Sequence, residues 1–291
     1  MNSEQPTWRR FDPYRILAPE ERERHLADYL RFLEERDGPR DVEAQTLAHR
    51  ESALADVASK PVRWQGTLDE AAFHTHMRRG RGPEVDERTV LLLAAARANV
   101  SEAYGAELER KAFAGRPERA AENPLYMHLM FEELYHSRIL DEVCRTGGYE
   151  PEFLLPSRTM RATIHAMAYL PDPWRWILIY ASEILGSEVF NVLRDATRHF
   201  SEEPEVEARL RELLTEIWID EVFHVAYLRA KLAPAGIRIA RRLVPLVAVT
   251  VFPTLPQCGK IGLDARSVLA RLRRGIEMPP GVHWMPAEPA V

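Results

Sequence analysis

Glu132-Glu133-Leu134-Tyr135-His136 returns 88 residues later as Asp220-Glu221-Val222-Phe223-His224. On a helix, residues three apart share a face, so each segment brings one carboxylate and one imidazole to the same point. In a chain with ten histidines, one Glu-x-x-His is expected by chance. Two in matching context are harder to dismiss. Each follows an acid, and each lies among apolar residues: Met130, Phe131, Ile139 and Leu140 around the first, Ile217, Trp218, Val225 and Leu228 around the second. Charges placed in such surroundings need a partner or a metal.

Proline and glycine punctuation places both segments in the middle of long helices. Asp86 reads as an N-cap, followed by a proline-free run to Ala114 that Gly115 ends. Asn123-Pro124 is a cap with proline at the first helical position, and Gly147-Gly148 ends the run that it opens. Asp172-Pro173 repeats that start and opens a run to about Phe200; Pro204 opens a fourth, with Pro234 just past its end. Proline early and glycine late is the expected asymmetry of a helix. The link from Tyr149 to Pro171 is long enough to cross over and to hold a short helix of its own. Residues 18–36 and 41–59 read as amphipathic helices, and Thr67-Leu68-Asp69-Glu70 resembles a capping box. In the tail, Leu243 to Phe252 is apolar but interrupted by Pro245, and is expected to rest on the helices. No flexible linker stands out. The organisation expected is one domain over 1–291, with a helical centre at 86–232 and extensions at 1–85 and 233–291.

The other two long helices carry a second repeat. Val100-Ser101-Glu102-Ala103-Tyr104-Gly105-Ala106-Glu107 matches Ala181-Ser182-Glu183-Ile184-Leu185-Gly186-Ser187-Glu188 at Ser, Glu, Gly and Glu. A helical hairpin is therefore repeated within the chain. Antiparallel helices meet at residues equidistant from their turn. The midpoint of Glu183 and Glu221 is Glu202, inside Ser201-Glu202-Glu203-Pro204. Glu107 and Glu188 compete with Glu102 and Glu183 as inward-facing acids; they lie about 140° around the helix, so both sets cannot serve.

These residues carry a family resemblance. One glutamate from each of two helices, with Glu-x-x-His from each of the other two, is the ligand set of ferritin-like di-iron and di-manganese proteins. The sequence resembles their oxygen-activating branch: acyl carrier protein desaturases, bacterial multicomponent monooxygenases, ribonucleotide reductase small subunits and N-oxygenases. The resemblance covers about residues 86–232, half of the chain. It implies an all-α fold, a ferritin-like four-helix bundle with helical N- and C-terminal extensions. The implied metal ligands are Glu102, Glu133, His136, Glu183, Glu221 and His224, with no catalytic residue beyond them. Family members with an acid just before the motif use it to hold the opposite histidine, which gives that role to Glu132 and Asp220. Radical-generating reductase subunits place a tyrosine one turn after a ligand histidine, where this chain has Leu140 and Leu228; that subfamily is disfavoured. N-oxygenases of the p-aminobenzoate type add a third histidine one turn before the last motif, where this chain has Ile217.

What the resemblance implies about chemistry is an oxidoreductase using two iron ions, with Mn/Fe or Mn/Mn as alternatives, and O2. It would hydroxylate, desaturate or N-oxygenate a small or carrier-protein-bound substrate, with electrons from a ferredoxin or flavin reductase. A homodimer is compatible with this class. A ferritin- or rubrerythrin-like iron-oxidising or peroxide-detoxifying protein is the alternative. Against it stand about 85 residues before the helical centre and about 60 after it. A metal-free helical interaction module is the third reading.

Gly105 and Gly186 follow the two single glutamates by three residues, and Ala98 and Ala106 flank Glu102 by one turn. Small residues on that face are expected to leave a cavity, so Gly186→Leu is expected to spare metal binding while blocking turnover. His128, His165 and His199 are expected to be ordinary structural histidines, with only His165, on the crossover, able to reach a cavity. Composition fits a globular protein: 46% hydrophobic and 29% charged residues. Cys144 and Cys258 are too few for a disulfide framework or a thiolate metal cluster. With no apolar stretch in Met1–Gln5 and no apolar run of about 20 residues, a cytoplasmic location without a membrane span is expected. The net charge of −5 divides unevenly: residues 229–291 hold 10 basic and 3 acidic residues, +7, leaving −12 elsewhere. Nucleic-acid binding is not expected; the basic tail is either a solvated face or a dock for an acidic ferredoxin or carrier protein.

Overall fold

The computed structural model describes residues 10–114, 124–152, 154–255 and 257–279. The chain is all-α with very little sheet. The N-terminal part contains β1 (Arg10–Phe11), α1 (Pro19–Asp37), β2 (Arg40–Asp41), β3 (Thr46–Leu47), α2 (Ala48–Ser59) and α3 (Glu70–Arg79). Four long helices follow, α4 (Glu87–Ala114), α5 (Pro124–Thr146), α7 (Trp174–Ala196) and α8 (Pro204–Lys231), with α6 (Arg158–Tyr169) on the crossover. The chain closes with α9 (Pro234–Val251), α10 (Ala265–Leu272) and β4 (Ile276–Glu277).

The helix starts follow backbone chemistry. Asp86 Oδ1 accepts from the Thr89 amide at 2.8 Å, satisfying a donor that the first turn of α4 leaves unpaired. Pro204 opens α8 at a position where its missing N–H costs nothing. Gly148, at φ +82°, follows α5 in the left-handed region that glycine enters freely. The Gly115 stop, the Asn123 cap and residues Met1–Gln5 lie outside the described residues.

Three boundaries differ from the sequence reading. At α7 the cap position is Pro173 and not Asp172, and no side chain caps it; a 3-10 turn, Thr197–Phe200, extends the helix to the expected end. The second N-terminal helix begins at Ala48 rather than residue 41, because residues 40–47 turn back as an antiparallel β2–β3 pair. Ahead of α3 the cap is Asp69, accepting from Ala72 N at 2.9 Å, so the expected Thr67 box does not form.

The long helices contact one another in a ring: α4 meets α5, α5 meets α8, α8 meets α7, and α7 meets α4. Their shared interior holds fully buried Phe131, Leu140, Tyr180, Ile184, Trp218 and Phe223. Each such side chain contributes about 1.5–3 kcal/mol by leaving water. The extensions cover this unit: α1 packs on α8, α6 on α4 and α7, and α9 on α7. β1 pairs antiparallel with β4, tying the two ends of the described chain together. α9 is continuous through Pro245. By length and composition the segment Trp174–Phe200 is apolar enough to cross a membrane, with a mean hydropathy of 1.3, yet 67% of that window is buried inside the protein.

Candidate metal centre

The four long helices deliver their acids and imidazoles to one place. α4 carries Glu102 and α7 carries Glu183; α5 carries Glu132, Glu133 and His136, and α8 carries Asp220, Glu221 and His224. Ligand-type atoms of Glu102, Glu133 and His136 all lie within 4.8 Å of one another, and so do those of Glu133, Glu183 and His224. Glu133 belongs to both groups. The two histidine rings are 5.7 Å apart by their centroids.

Each imidazole has its two nitrogens divided between two kinds of acid. Nδ1 of His224 faces Glu133 and Glu183, each at 3.3 Å. Nδ1 of His136 faces Glu133 at 3.4 Å and Glu221 at 3.7 Å, without a well-formed hydrogen bond to either. The Nε2 atoms face the other way and cross between helices. His136 Nε2 is 3.1 Å from Asp220 Oδ2, and His224 Nε2 is 3.1 Å from Glu132 Oε2. Both rings and both of these acids are 0% exposed.

Electrostatics at the cluster are strained by its own charge. Burial, reinforced by the neighbouring Glu133 charge, pushes the Glu102 carboxyl well above the usual range, and a hydrogen bond to Glu133 adds to this. Burial and then Glu183 do the same to Glu221. Burial acts in the same sense on Glu133, but His136 and His224 outweigh it and hold that carboxyl well down. Burial disfavours charge on both rings, yet the surrounding acids raise them well above an ordinary histidine. Such a cluster stays charged only with added positive charge. A buried imidazole nitrogen aimed at carboxylates without a good hydrogen bond, beside four converging acids, is a donor set of mixed oxygen and nitrogen that could hold a metal ion.

Behind the acids lies a layer that sequence reading missed. Arg50 on α2 donates from Nε to Asp37 Oδ1 at 2.8 Å and from Nη2 to Asp220 Oδ1 at 2.6 Å. Arg36 on α1 also binds Asp220, and reaches Glu216 at 2.8 Å. His128 Nε2 is 2.7 Å from Asp37 Oδ2, so His128 serves this network as a structural histidine. Burial raises Asp220, but Arg36 and Arg50 hold its carboxyl well below the usual range. A periodic signal was present: buried His25, Tyr29, Leu33 and Asp37 recur every four residues and form one stripe on α1. Asp37, His128 and Glu132 also approach one another closely enough for a metal, but the Arg50 guanidinium already occupies Asp37.

The competing acids are elsewhere. Glu107 is 3.0 Å from Lys111 on the same helix, and Glu188 accepts from Arg271 Nε at 2.7 Å on the far side of α7. Arg271 is thereby paired and not part of the solvated basic face expected of the tail.

A cavity of about 590 Å³ opens over the cluster. Glu102, Glu133, Glu183 and Glu221 form part of its wall, along with apolar residues including Met130, Ile164, Ile179 and Phe190. Ala98, Gly105, Ala106 and Gly186 line it as expected. The two glycines differ, however. A Cβ at Gly105 would meet only Ile164 Cγ2 at 3.9 Å, whereas one at Gly186 would overlap the Glu221 carboxylate. The expectation that Gly186→Leu spares the ligands is therefore corrected: that position is held small by Glu221. His165 does not line the cavity; its Nε2 is 2.9 Å from the Tyr104 hydroxyl.

The fold and site together define an all-helical protein with a buried Asp/Glu/His cluster able to hold metal. Comparison with family models, curated proteins and solved structures finds no match.

Proposed function

We propose that the chain is a ferritin-like di-iron protein of the oxygen-activating kind, an oxidoreductase acting on an organic substrate in the cavity over its metals. The observation that carries this reading is the twofold pattern at the histidines. Each Glu-x-x-His turns Nδ1 toward shared carboxylates and Nε2 toward the acid preceding the other motif. Nε2 held by a carboxylate fixes the ring and its tautomer, leaving Nδ1 as the donor to metal. Glu102, Glu133 and His136 would hold one ion, and Glu133, Glu183 and His224 the other. Glu221 completes the set beside His136.

Bound iron would supply the power to oxidise a C–H or N–H bond with O2. The chain's own residues supply the surroundings. Asp220 and Glu132 keep the imidazole protons on Nε2. The layer of α1 and α2 behind them, with Arg36 and Arg50, balances their charge and keeps water from that side. Apolar walls such as Ile164, Ile179 and Phe190 hold a substrate against the open side of the cluster. The cavity favours this reading over a metal-free interaction module, and its volume lies within the usual range of small-molecule sites, roughly 300–1,000 Å³.

The test is metal analysis of protein purified without oxygen and reconstituted with Fe(II), followed by optical spectra on admitting O2. Two irons per chain and an oxygen-dependent absorption change are expected. One ion or none per chain would refute the di-iron reading. Mineralisation of iron into a multimeric shell would move it to the storage class.

A further inference from the structure

Arg97 lines the same cavity as the four glutamates. It sits on α4 five residues before Glu102, a rise of about 7.5 Å. Its Nη1 donates to the Thr254 carbonyl and its Nη2 to the His76 carbonyl, each at 2.6 Å. Those bonds use two of five N–H donors and no negative charge. Nε is buried without a hydrogen bond. Among the described residues no carboxylate lies within ion-pair distance of this guanidinium. Burial lowers its affinity for its proton, though an arginine remains charged throughout the accessible pH range.

A half-buried cation without an acid is costly unless something completes it. The cavity wall carries charge of both signs. Besides the four glutamates it includes Arg97, Arg78, Arg79 and Gly80, and a Cβ at Gly80 would lie 3.8 Å from Arg97 Nη2. Arg78 is engaged by Glu152 at 3.7 Å. Apolar side chains make up much of the remaining wall.

We infer that the cavity takes an amphiphilic organic acid, its carboxylate paired with Arg97 and its apolar body lying toward the glutamate cluster. This deepens the proposed function by naming the substrate class of the same site. A guanidinium fork matches a carboxylate in shape and charge, and such charge-assisted bonds are about twice as strong as neutral ones. The two carbonyls that hold Arg97 orient the fork without neutralising it. A purely structural role, tying α3 and the turn after α9 to α4, would account for those two bonds but not for a charged residue on the cavity wall.

The experiment uses decanoate, decan-1-ol and decylamine as probes of the full-length protein, followed by quenching of tryptophan fluorescence, since Trp176 lines the cavity. It is run on protein with its metal and on chelated protein, and metal content is measured separately. Decanoate is expected to bind about tenfold more tightly than decan-1-ol, a difference of roughly 1.4 kcal/mol. Arg97→Met should bring the two affinities within about twofold, while Arg97→Lys should keep most of the preference. Equal binding of decanoate and decan-1-ol by the wild type overturns the proposal, without recourse to any variant. So does tightest binding of decylamine, which would show that the glutamates select the ligand, and so does a folded Arg97→Met protein with its decanoate preference intact. Protein that holds two metals and shows no preference refutes the carboxylate and spares the di-iron reading. Protein that prefers decanoate and holds no metal does the reverse.

Discussion

Nε2 of His224 lies 3.1 Å from Oε2 of Glu132, an acid 92 residues earlier on a different helix. His136 and Asp220 repeat the contact in the opposite direction. Each motif therefore supplies a ligand-type imidazole and the acid that orients the imidazole of the other. The acids are at i−4 from the histidines, in the position just before each Glu-x-x-His.

Removing one orienting charge should weaken metal binding without removing a ligand. Glu132→Gln and Asp220→Asn are each expected to reduce metal affinity by about 10–100-fold. Competition with a chelator of known affinity measures this directly. Unchanged affinity in both variants would deny these acids the orienting role.

The buried Asp37, in the layer behind the ligands, provides a pH test. Burial alone would raise its carboxyl, but the His128 hydrogen bond and Arg50 outweigh that and hold it below the usual range. A depressed folded pKa means stability that is present above the unfolded value, near 3.9, and lost as pH falls through the folded value. Asp37→Asn should therefore be less stable than wild type at pH 7 by on the order of 3 kcal/mol. Urea unfolding at a series of pH values should show that gap closing below about pH 4. A gap independent of pH would mean that packing, not charge, sets it.

Glu183 and Glu188 can be separated by what each change removes. Glu183→Ala takes away an acid 3.3 Å from His224 Nδ1, and should abolish binding of one metal and the oxygen-dependent spectral change. Glu188→Ala breaks a bond to Arg271, which is 24% exposed and can recover water. It should cost roughly 1–3 kcal/mol of stability and leave metal content unchanged. The opposite result would place the centre on the other face of α7.

The helix ends at Asp86, Pro204 and Gly147-Gly148 were legible because local chemistry decides such ends; the Gly115 and Asn123 signals lie outside the described residues, and Asp172 does not cap α7. The register was legible too: the turn between α7 and α8 contains Glu202, as the equal spacing of Glu183 and Glu221 requires. What could not be read was whatever depends on distant pairing. Arg50 meets Asp220 across 170 residues, and the α2 sequence offers no periodic reason for its one buried residue to be an arginine. The start of α2 was missed because a two-residue strand pair displaced it, and such short pairs leave little pattern. Gly186 was legible as a small residue on the right face, but spacing does not say which neighbour needs the space.

That distinction yields the last prediction. Gly105 and Gly186 occupy equivalent places in the repeat, three residues after Glu102 and Glu183, and both line the cavity. Gly105 has open space before it, the nearest atom being Ile164 Cγ2 at 3.9 Å. Gly186 has the Glu221 carboxylate against it. Leucine at residue 105 should therefore project into the cavity, exclude a bulky substrate and leave metal content intact. Leucine at residue 186 must move Glu221, so it should lower metal content as well as activity. Even Gly186→Ala should weaken metal binding, whereas Gly105→Ala should not. Metal analysis and circular dichroism on the four variants distinguish these outcomes from simple misfolding. If all four keep their full metal complement, Glu221 is either not a ligand or is free to rotate while remaining one. If Gly105→Leu loses metal and Gly186→Leu retains it, the two halves of the site have been assigned the wrong way round.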